Sequence, residues 1–129
     1  MTWIVAHMKW ILLVSGLLTC SMIQTVVAPH RVMQTFFGEP IEGAAAELVV
    51  RNWGALIALG GGMLILAAFH APSRPLALAF TGLGKLVFIA LVLAHGGRYL
   101  GFQAGVAVVA DSLMVLLFAL YLFASGRRP

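Results

Sequence analysis

The sequence predicts an all-α integral membrane protein: a four-helix bundle with a short interfacial helix between helices one and two. Of its 129 residues, 62% are hydrophobic and only 9% are charged. The mean hydropathy of +1.04 lies far above that of soluble domains. Four apolar runs are also each close to the roughly 20 residues that cross a bilayer core. We therefore expect one transmembrane domain over residues 1–129.

The predicted membrane helices are separated by segments with turn chemistry. Their expected ranges are 10–27, 48–69, 75–94 and 102–123. The connections HAPSRP and HGGRYLG are short, so helices two and three, and helices three and four, are expected to be antiparallel neighbours. Pro75 suits the first turn of helix three, while Gly96 and Gly97 suit its end.

The first apolar run ends in LLTC, which faintly resembles a lipoprotein cleavage site. Thr19 is bulky for the residue before a lipidated cysteine, so we expect this run to be the first membrane helix. Cys20 is the single cysteine, which excludes an internal disulfide and a CxxC motif. We expect it to be a small apolar core residue.

The longest connection, PHRVMQTFFGEPIEGAAAE, is too apolar for a plain solvated loop. Val32, Met33, Phe36 and Phe37 recur at helical spacing, and Gly38 is placed to end a helix. We expect a short helix at the membrane interface, with its phenylalanines facing lipid or lying across the end of the bundle. Two interpretations stay open: a surface helix that bridges two spans, or a lid over a pocket.

Positive charge near the helix ends predicts the orientation. One side is expected to hold Lys9, Arg74, Arg127 and Arg128, and the other Arg31 and Arg98 beside Glu39, Glu42 and Glu47. This distribution predicts cytoplasmic termini and an outer side at the longest connection. The net charge of +4 comes from scattered basic residues, so it does not indicate nucleic-acid binding.

Two opposite charges are expected to meet inside the membrane. Lys85 lies nine residues before the end of helix three at Ala94, and Asp111 lies nine residues after the start of helix four at Phe102. In an antiparallel hairpin both then lie at one depth, about 13 Å from the outer end. The pair either fixes the register of the hairpin or lines a polar cavity, because intramembrane charges are functional candidates.

A second polar group lies near the outer end of helix two. Glu47 and Arg51 are four residues apart, in the order that favours an intrahelical pair. Arg51 can also extend outward to the interface. Asn52 is expected to form a hydrogen bond across the bundle and, with Trp53, to close the outer end of a cavity.

Small residues recur at four-residue spacing on two of the predicted helices. Gly54, Ala58 and Gly62 form such a stripe on helix two, and Gly101 with Gly105 repeats it at the start of helix four. Stripes of this kind let helices approach closely. They predict tight packing, either inside the bundle or between protomers.

His30 and His95 end helices one and three, so both are expected on the outer side. They are either two interfacial histidines or, as a weaker alternative, axial ligands of a haem. Motifs of the HExxH, CxxC and GxSxG kinds are missing, and so is a phosphate-binding glycine loop. The sequence therefore predicts no metal site and favours a protein that is not an enzyme.

The tracts VVRNWGALIALGGGMLILAAF and GLGKLVFIALVLAHGG, within four spans, resemble small bacterial inner-membrane proteins of the DoxX-like kind. The resemblance implies an inner-membrane location. Members of that group are linked to quinone-coupled sulfur oxidation or to terminal oxidase complexes. Their glycine and lysine signature lies near the first helix, whereas GLGKL opens helix three here, so no binding residue is carried over.

Three hypotheses for function follow from these observations. The first is a protein that binds or passes a small molecule or ion between helices two, three and four, using Lys85, Asp111, Arg51 and Asn52. The second is an accessory subunit of a quinone-linked redox complex, with the two outer histidines near the quinone. The third is an assembly partner without a site. In each, we expect contact with lipid and association with a second copy or another membrane protein.

Overall fold

A computed structural model describes residues 2–126 and confirms an all-α protein, since no strand occurs within that range. Four of its helices are long and apolar enough to cross a membrane. Helices one to four are Met8–Val27, Ala44–Phe69, Arg74–Ala94 and Gln103–Gly126. Helix one includes a single 3-10 turn, Ser21–Ile23. A short helical segment, Thr2–Ala6, precedes it.

The helices run antiparallel in chain order, so the bundle has two distinct ends. The capped end is the end covered by the interfacial helix, Pro29–Phe37, and by the turn at residues 95–102. The terminal end holds the beginning of helix one and the end of helix four. Gly38 ends the interfacial helix in the left-handed conformation, with φ of 69°, which residues with a side chain rarely adopt. The predicted interfacial helix and its glycine cap are both present.

The interfacial helix packs across the capped end with its phenylalanines turned inward. Val32 is 2% exposed and Phe36 is 9% exposed, and both belong to one buried cluster with Met22 of helix one and Ala104 of helix four. Phe37 meets the Tyr99 ring edge-on at 5.1 Å between centroids. The helix therefore covers the interior, as the lid interpretation requires, rather than directing its phenylalanines into lipid.

Helices one and two make the most extensive contact in the bundle. A methyl group added at Gly61 would lie 2.6 Å from the Cys20 backbone nitrogen and 2.7 Å from the Gly16 carbonyl oxygen. Gly54 is similarly covered by Thr25. The Cys20 thiol donates a 3.4 Å hydrogen bond to the Ala58 carbonyl. Two helices this close need glycine at the crossing.

The predicted small-residue stripe is only partly used inside the chain. Gly54 and Ala58 face helix one, but the third position in contact is Gly61 rather than Gly62. A methyl group added at Gly62 or at Gly101 would meet nothing within 4 Å. Gly105 packs against the backbone of Leu100 in its own preceding turn.

The bundle is loosest between helices one and four. Close backbone contacts join helix one to two, two to three and three to four, whereas the described part of the chain shows no comparable contact between one and four. The Thr2–Ala6 segment and the interfacial helix each contact helix four, and so bridge this seam at both ends. Near the terminal end, buried Met8, Leu12 and Phe118 fill the interior.

Basic side chains lie at the terminal end of the described structure. Arg74 donates hydrogen bonds of 2.8 and 3.0 Å to the Ala67 and Ala68 carbonyls, which are left free at the end of helix two. The ammonium of Lys9 lies 4.9 Å from the centre of the Phe69 ring. Two arginines that the orientation prediction used, Arg127 and Arg128, lie outside the described residues.

Gly61→Ala is expected to separate helices one and two, because the new methyl group meets backbone atoms that cannot rotate away. We expect the free energy of unfolding in detergent to fall by about 1–3 kcal/mol. The matched control is Gly62→Ala, which meets no atom and gains up to about 1 kcal/mol of helix propensity. Equal losses in the two variants would contradict the observed packing.

Candidate functional site

Lys85 crosses the interior of the bundle and joins three helices. Its ammonium donates a 2.9 Å hydrogen bond to Oδ1 of Asp111 on helix four. It donates a second, of 3.2 Å, to Oγ1 of Thr19 on helix one. The Lys85 and Asp111 side chains are only 10% and 18% exposed. The cost of burying the ammonium is therefore offset by an ion pair and a further hydrogen bond.

The antiparallel arrangement places these three residues at one level. Counted from the capped end, Thr19 is eight residues from Val27, Lys85 nine from Ala94, and Asp111 eight from Gln103. At 1.5 Å per residue these counts correspond to depths of about 12 to 14 Å. The side chains meet because the depths agree and because all three face the interior.

Thr19 is the functional candidate that sequence reasoning missed. Its hydroxyl donates a 2.7 Å hydrogen bond to the Ser15 carbonyl, one turn earlier, so its oxygen is held ready to accept from Lys85. The same count of residues, applied to helix one, would have found it. The polar site therefore lies between helices one, three and four, and not between two, three and four as predicted.

A cavity of about 190 Å³ adjoins this polar site. Its polar lining residues are Thr19, Ser21, Lys85, Gln103 and Asp111. Apolar residues from all four helices and Phe36 of the interfacial helix line the rest. Leu18, Ser21, Gln103 and Val106 are themselves solvent-exposed in the chain, so the cavity opens at the seam between helices one and four.

The polar group on helix two lies elsewhere. Arg51 donates to Glu47 at 2.8 Å, as the spacing of the two residues predicts, and its other terminal nitrogen donates to the Val26 carbonyl at 2.8 Å. That bond caps the end of helix one. Asn52 is exposed, and within residues 2–126 its side chain forms no hydrogen bond. Neither Arg51 nor Asn52 lines the cavity at Lys85.

A second, larger space lies beside the cavity. We call it the outer cleft: about 430 Å³ at the capped end between the interfacial helix, helix two and helix three. Its lining includes Phe37, Glu39, His95 and Tyr99. Trp53 and Phe88 line both spaces, and their rings stack at 6.5 Å with 24° between the planes. The wall between cleft and cavity is thus formed in part by two aromatic rings.

The two histidines at the capped end, His30 and His95, have different partners. His30 Nε2 lies 3.5 Å from Glu47. His95 contacts the Leu91 carbonyl through Nδ1 at 2.8 Å, and its ring lies 5.5 Å from that of Tyr99. Only His95 lines the outer cleft. Among the described residues no group of three or more His, Cys, Asp or Glu side chains is placed to hold a metal ion.

Comparison with known proteins does not extend these observations. No family model, no curated protein and no solved structure matches the chain. Kinship with DoxX-like proteins stays a prediction.

The ion pair predicts a clear pattern in a double-mutant cycle. Lys85→Met and Asp111→Leu each leave one buried charge without its partner, which is expected to cost about 3–5 kcal/mol of unfolding free energy. The double variant removes both charges and is expected to recover most of that loss. Unfolding in detergent measures all three variants.

Thr19→Val is the matched control for the cycle, since it removes the hydroxyl that bonds Lys85 and the Ser15 carbonyl but removes no charge. We expect it to cost about 1 kcal/mol. Additive losses at Lys85 and Asp111 would show that the two residues are not coupled, contrary to the 2.9 Å contact.

Proposed function

We propose that this chain is a small multi-pass membrane protein that binds a small molecule or ion inside the membrane at the Lys85–Asp111 pair. The single observation that supports this most strongly is the cavity of about 190 Å³ beside the pair. An ion pair that only fixes a hairpin needs no space next to it, because packed protein groups can satisfy both charges. Here, both side chains line a space that opens at the seam.

Access to the site is from the capped half of the bundle. Ser21 and Gln103 give the opening two polar side chains, and Gln103 is the first residue of helix four, at the level of the interface. Towards the terminal end the interior is closed by buried Met8, Leu12 and Phe118. A ligand therefore enters and leaves on one side, and the protein in this conformation binds rather than conducts.

The proposed location is the bacterial inner membrane, with both termini in the cytoplasm. At the capped end, Arg98 is paired with Glu39, and the Tyr99 hydroxyl donates to the same carboxylate at 3.2 Å. At the terminal end, Lys9 and Arg74 have no ion-pair partner among the described residues. The proposal of a cytoplasmic terminal end rests on the count of basic residues in the sequence: Lys9, Arg74, Arg127 and Arg128 on that side, against Arg31 and Arg98 on the other. A second copy, or another membrane protein, is proposed as a partner beside the lipid.

The quinone-linked hypothesis is supported by one observation, the outer cleft. Its lining is mainly apolar and aromatic, with His95, Glu39 and the Tyr99 hydroxyl as polar groups, which is the usual character of a site for an apolar small molecule. His30 does not line it, so the two-histidine form of that hypothesis has no geometric support. The central cavity remains the better candidate, since it alone adjoins buried charges.

Cysteine labelling tests whether water reaches the cavity. In a Cys20→Ala background, Ala110→Cys places a thiol on the cavity lining, and Val109→Cys places one outside the lining, about 100° around the helix and at nearly the same depth. A charged methanethiosulfonate reacts with the thiolate, which forms in water and not in hydrocarbon. We expect the Ala110→Cys variant in liposomes to react at least about tenfold faster than its neighbour.

Slow reaction at both positions, in variants that keep the native unfolding midpoint, would contradict the proposal. It would favour the third hypothesis, an assembly partner without a site, in which the ion pair is only structural. Fast reaction at Val109→Cys as well would mean that this face of helix four is not in contact with lipid, although Val109 is 72% exposed in the isolated chain.

A further inference from the structure

The hydrogen-bonding atoms that remain free at the polar site define the chemistry of its ligand. An ammonium carries three N–H donors, and Lys85 uses one on Asp111 and one on Thr19. The third has no acceptor within residues 2–126. Oδ1 of Asp111 accepts from Lys85, while Oδ2 accepts no hydrogen bond from the described residues. The site therefore offers one donor and one acceptor, side by side.

The charge of the site is balanced before any ligand arrives. Lys85 and Asp111 are in contact at 2.9 Å, and no other charged side chain lines the cavity. An ion that entered would lose its hydration at a depth of about 12 to 14 Å without a compensating charge. The site therefore favours a ligand without net charge.

The size of the cavity limits the ligand to a few heavy atoms. Liquid water takes about 30 Å³ per molecule, so 190 Å³ holds on the order of six waters. Beyond the polar site the lining is apolar, from residues that include Met22, Ile57 and Met114. A matching ligand has one polar end and a short apolar remainder.

We propose that the ligand is a small uncharged molecule with an acceptor and a donor one atom apart, as in a primary amide. The carbonyl oxygen accepts from the free N–H of Lys85, and the amide N–H donates to Oδ2 of Asp111. Both free atoms of the ion pair are then satisfied and the pair stays intact. This inference rests on the proposed function and adds the class of ligand.

Four small probes that differ in hydrogen-bond donor, hydrogen-bond acceptor and charge test this inference. They are acetamide, N,N-dimethylacetamide, acetate and methylammonium, compared by saturation-transfer NMR on the full chain in nanodiscs. Ligands of this size bind in the millimolar range. We expect acetamide to bind about tenfold more tightly than each of the others, because each lacks the donor or carries a charge. Lys85→Met is expected to abolish the difference.

Asp111→Asn provides a second test, because it leaves the Lys85 charge unbalanced while nearly keeping the shape of the side chain. We expect the preference to shift from acetamide to acetate by about tenfold or more. Glu42→Gln is the matched control: it removes the charge of an exposed carboxylate that does not line the cavity, and is expected to keep the preference for acetamide. The comparison of probes on the native protein does not depend on whether either variant folds.

The outcomes separate the inference from the proposed function. If acetate or methylammonium binds the native protein as tightly as acetamide, and Lys85→Met abolishes that binding, the site is real and the inference about its ligand is wrong. If N,N-dimethylacetamide binds as tightly as acetamide, the inferred hydrogen bond from the amide to Asp111 is wrong. If no probe binds in a way that depends on Lys85, the proposed function fails as well.

Discussion

The need to place the Lys85 ammonium within the apolar part of the bundle determines much of this structure. A charge there is costly unless it is paired. The chain pairs it twice, with Asp111 from helix four and Thr19 from helix one. These contacts set the register of helices three and four and bring helix one to the same point. They also draw three helices together although, in the described part of the chain, helices one and four make no extensive backbone contact.

The two sides of helix one are therefore held by different physical means. Towards helix two, glycine at positions 16, 54 and 61 removes side-chain volume, and the backbones approach closely. Towards helix four, contact is made by side chains near the terminal end, by the polar site in the middle and by the interfacial helix at the capped end. The first interface is closed by backbone contact at these glycines, whereas the cavity lies along the second and opens there. Dispersion contacts are continuous between helices one and two, whereas the cavity interrupts them between helices one and four.

Hydropathy and turn residues were enough to predict the four spans, the interfacial helix and the Gly38 cap, since these depend on local sequence. Counting residues from the helix ends also predicted the shared depth of Lys85 and Asp111.

The rotation of each helix about its own axis could not be predicted from the sequence. Residues 54 and 62 are eight apart and diverge by about 80° around a helix, whereas residues 54 and 61 diverge by only about 20°. Gly61 therefore meets helix one and Gly62 does not. The direction of the long Arg51 side chain could not be predicted either. Arg51 was therefore assigned to the wrong site, because its side chain reaches the end of helix one instead.

If small molecules occupy the cleft and the cavity, the shared wall of Trp53 and Phe88 would make binding in one space depend on binding in the other. The same two rings face both spaces, so a molecule in the cleft that displaces either ring also changes the volume available beside Lys85. Linkage is reciprocal: the factor by which cleft occupancy alters affinity in the cavity equals the factor by which cavity occupancy alters affinity in the cleft. The contact between two aromatic side chains would then carry a coupling free energy between a space near the membrane surface and one near its centre.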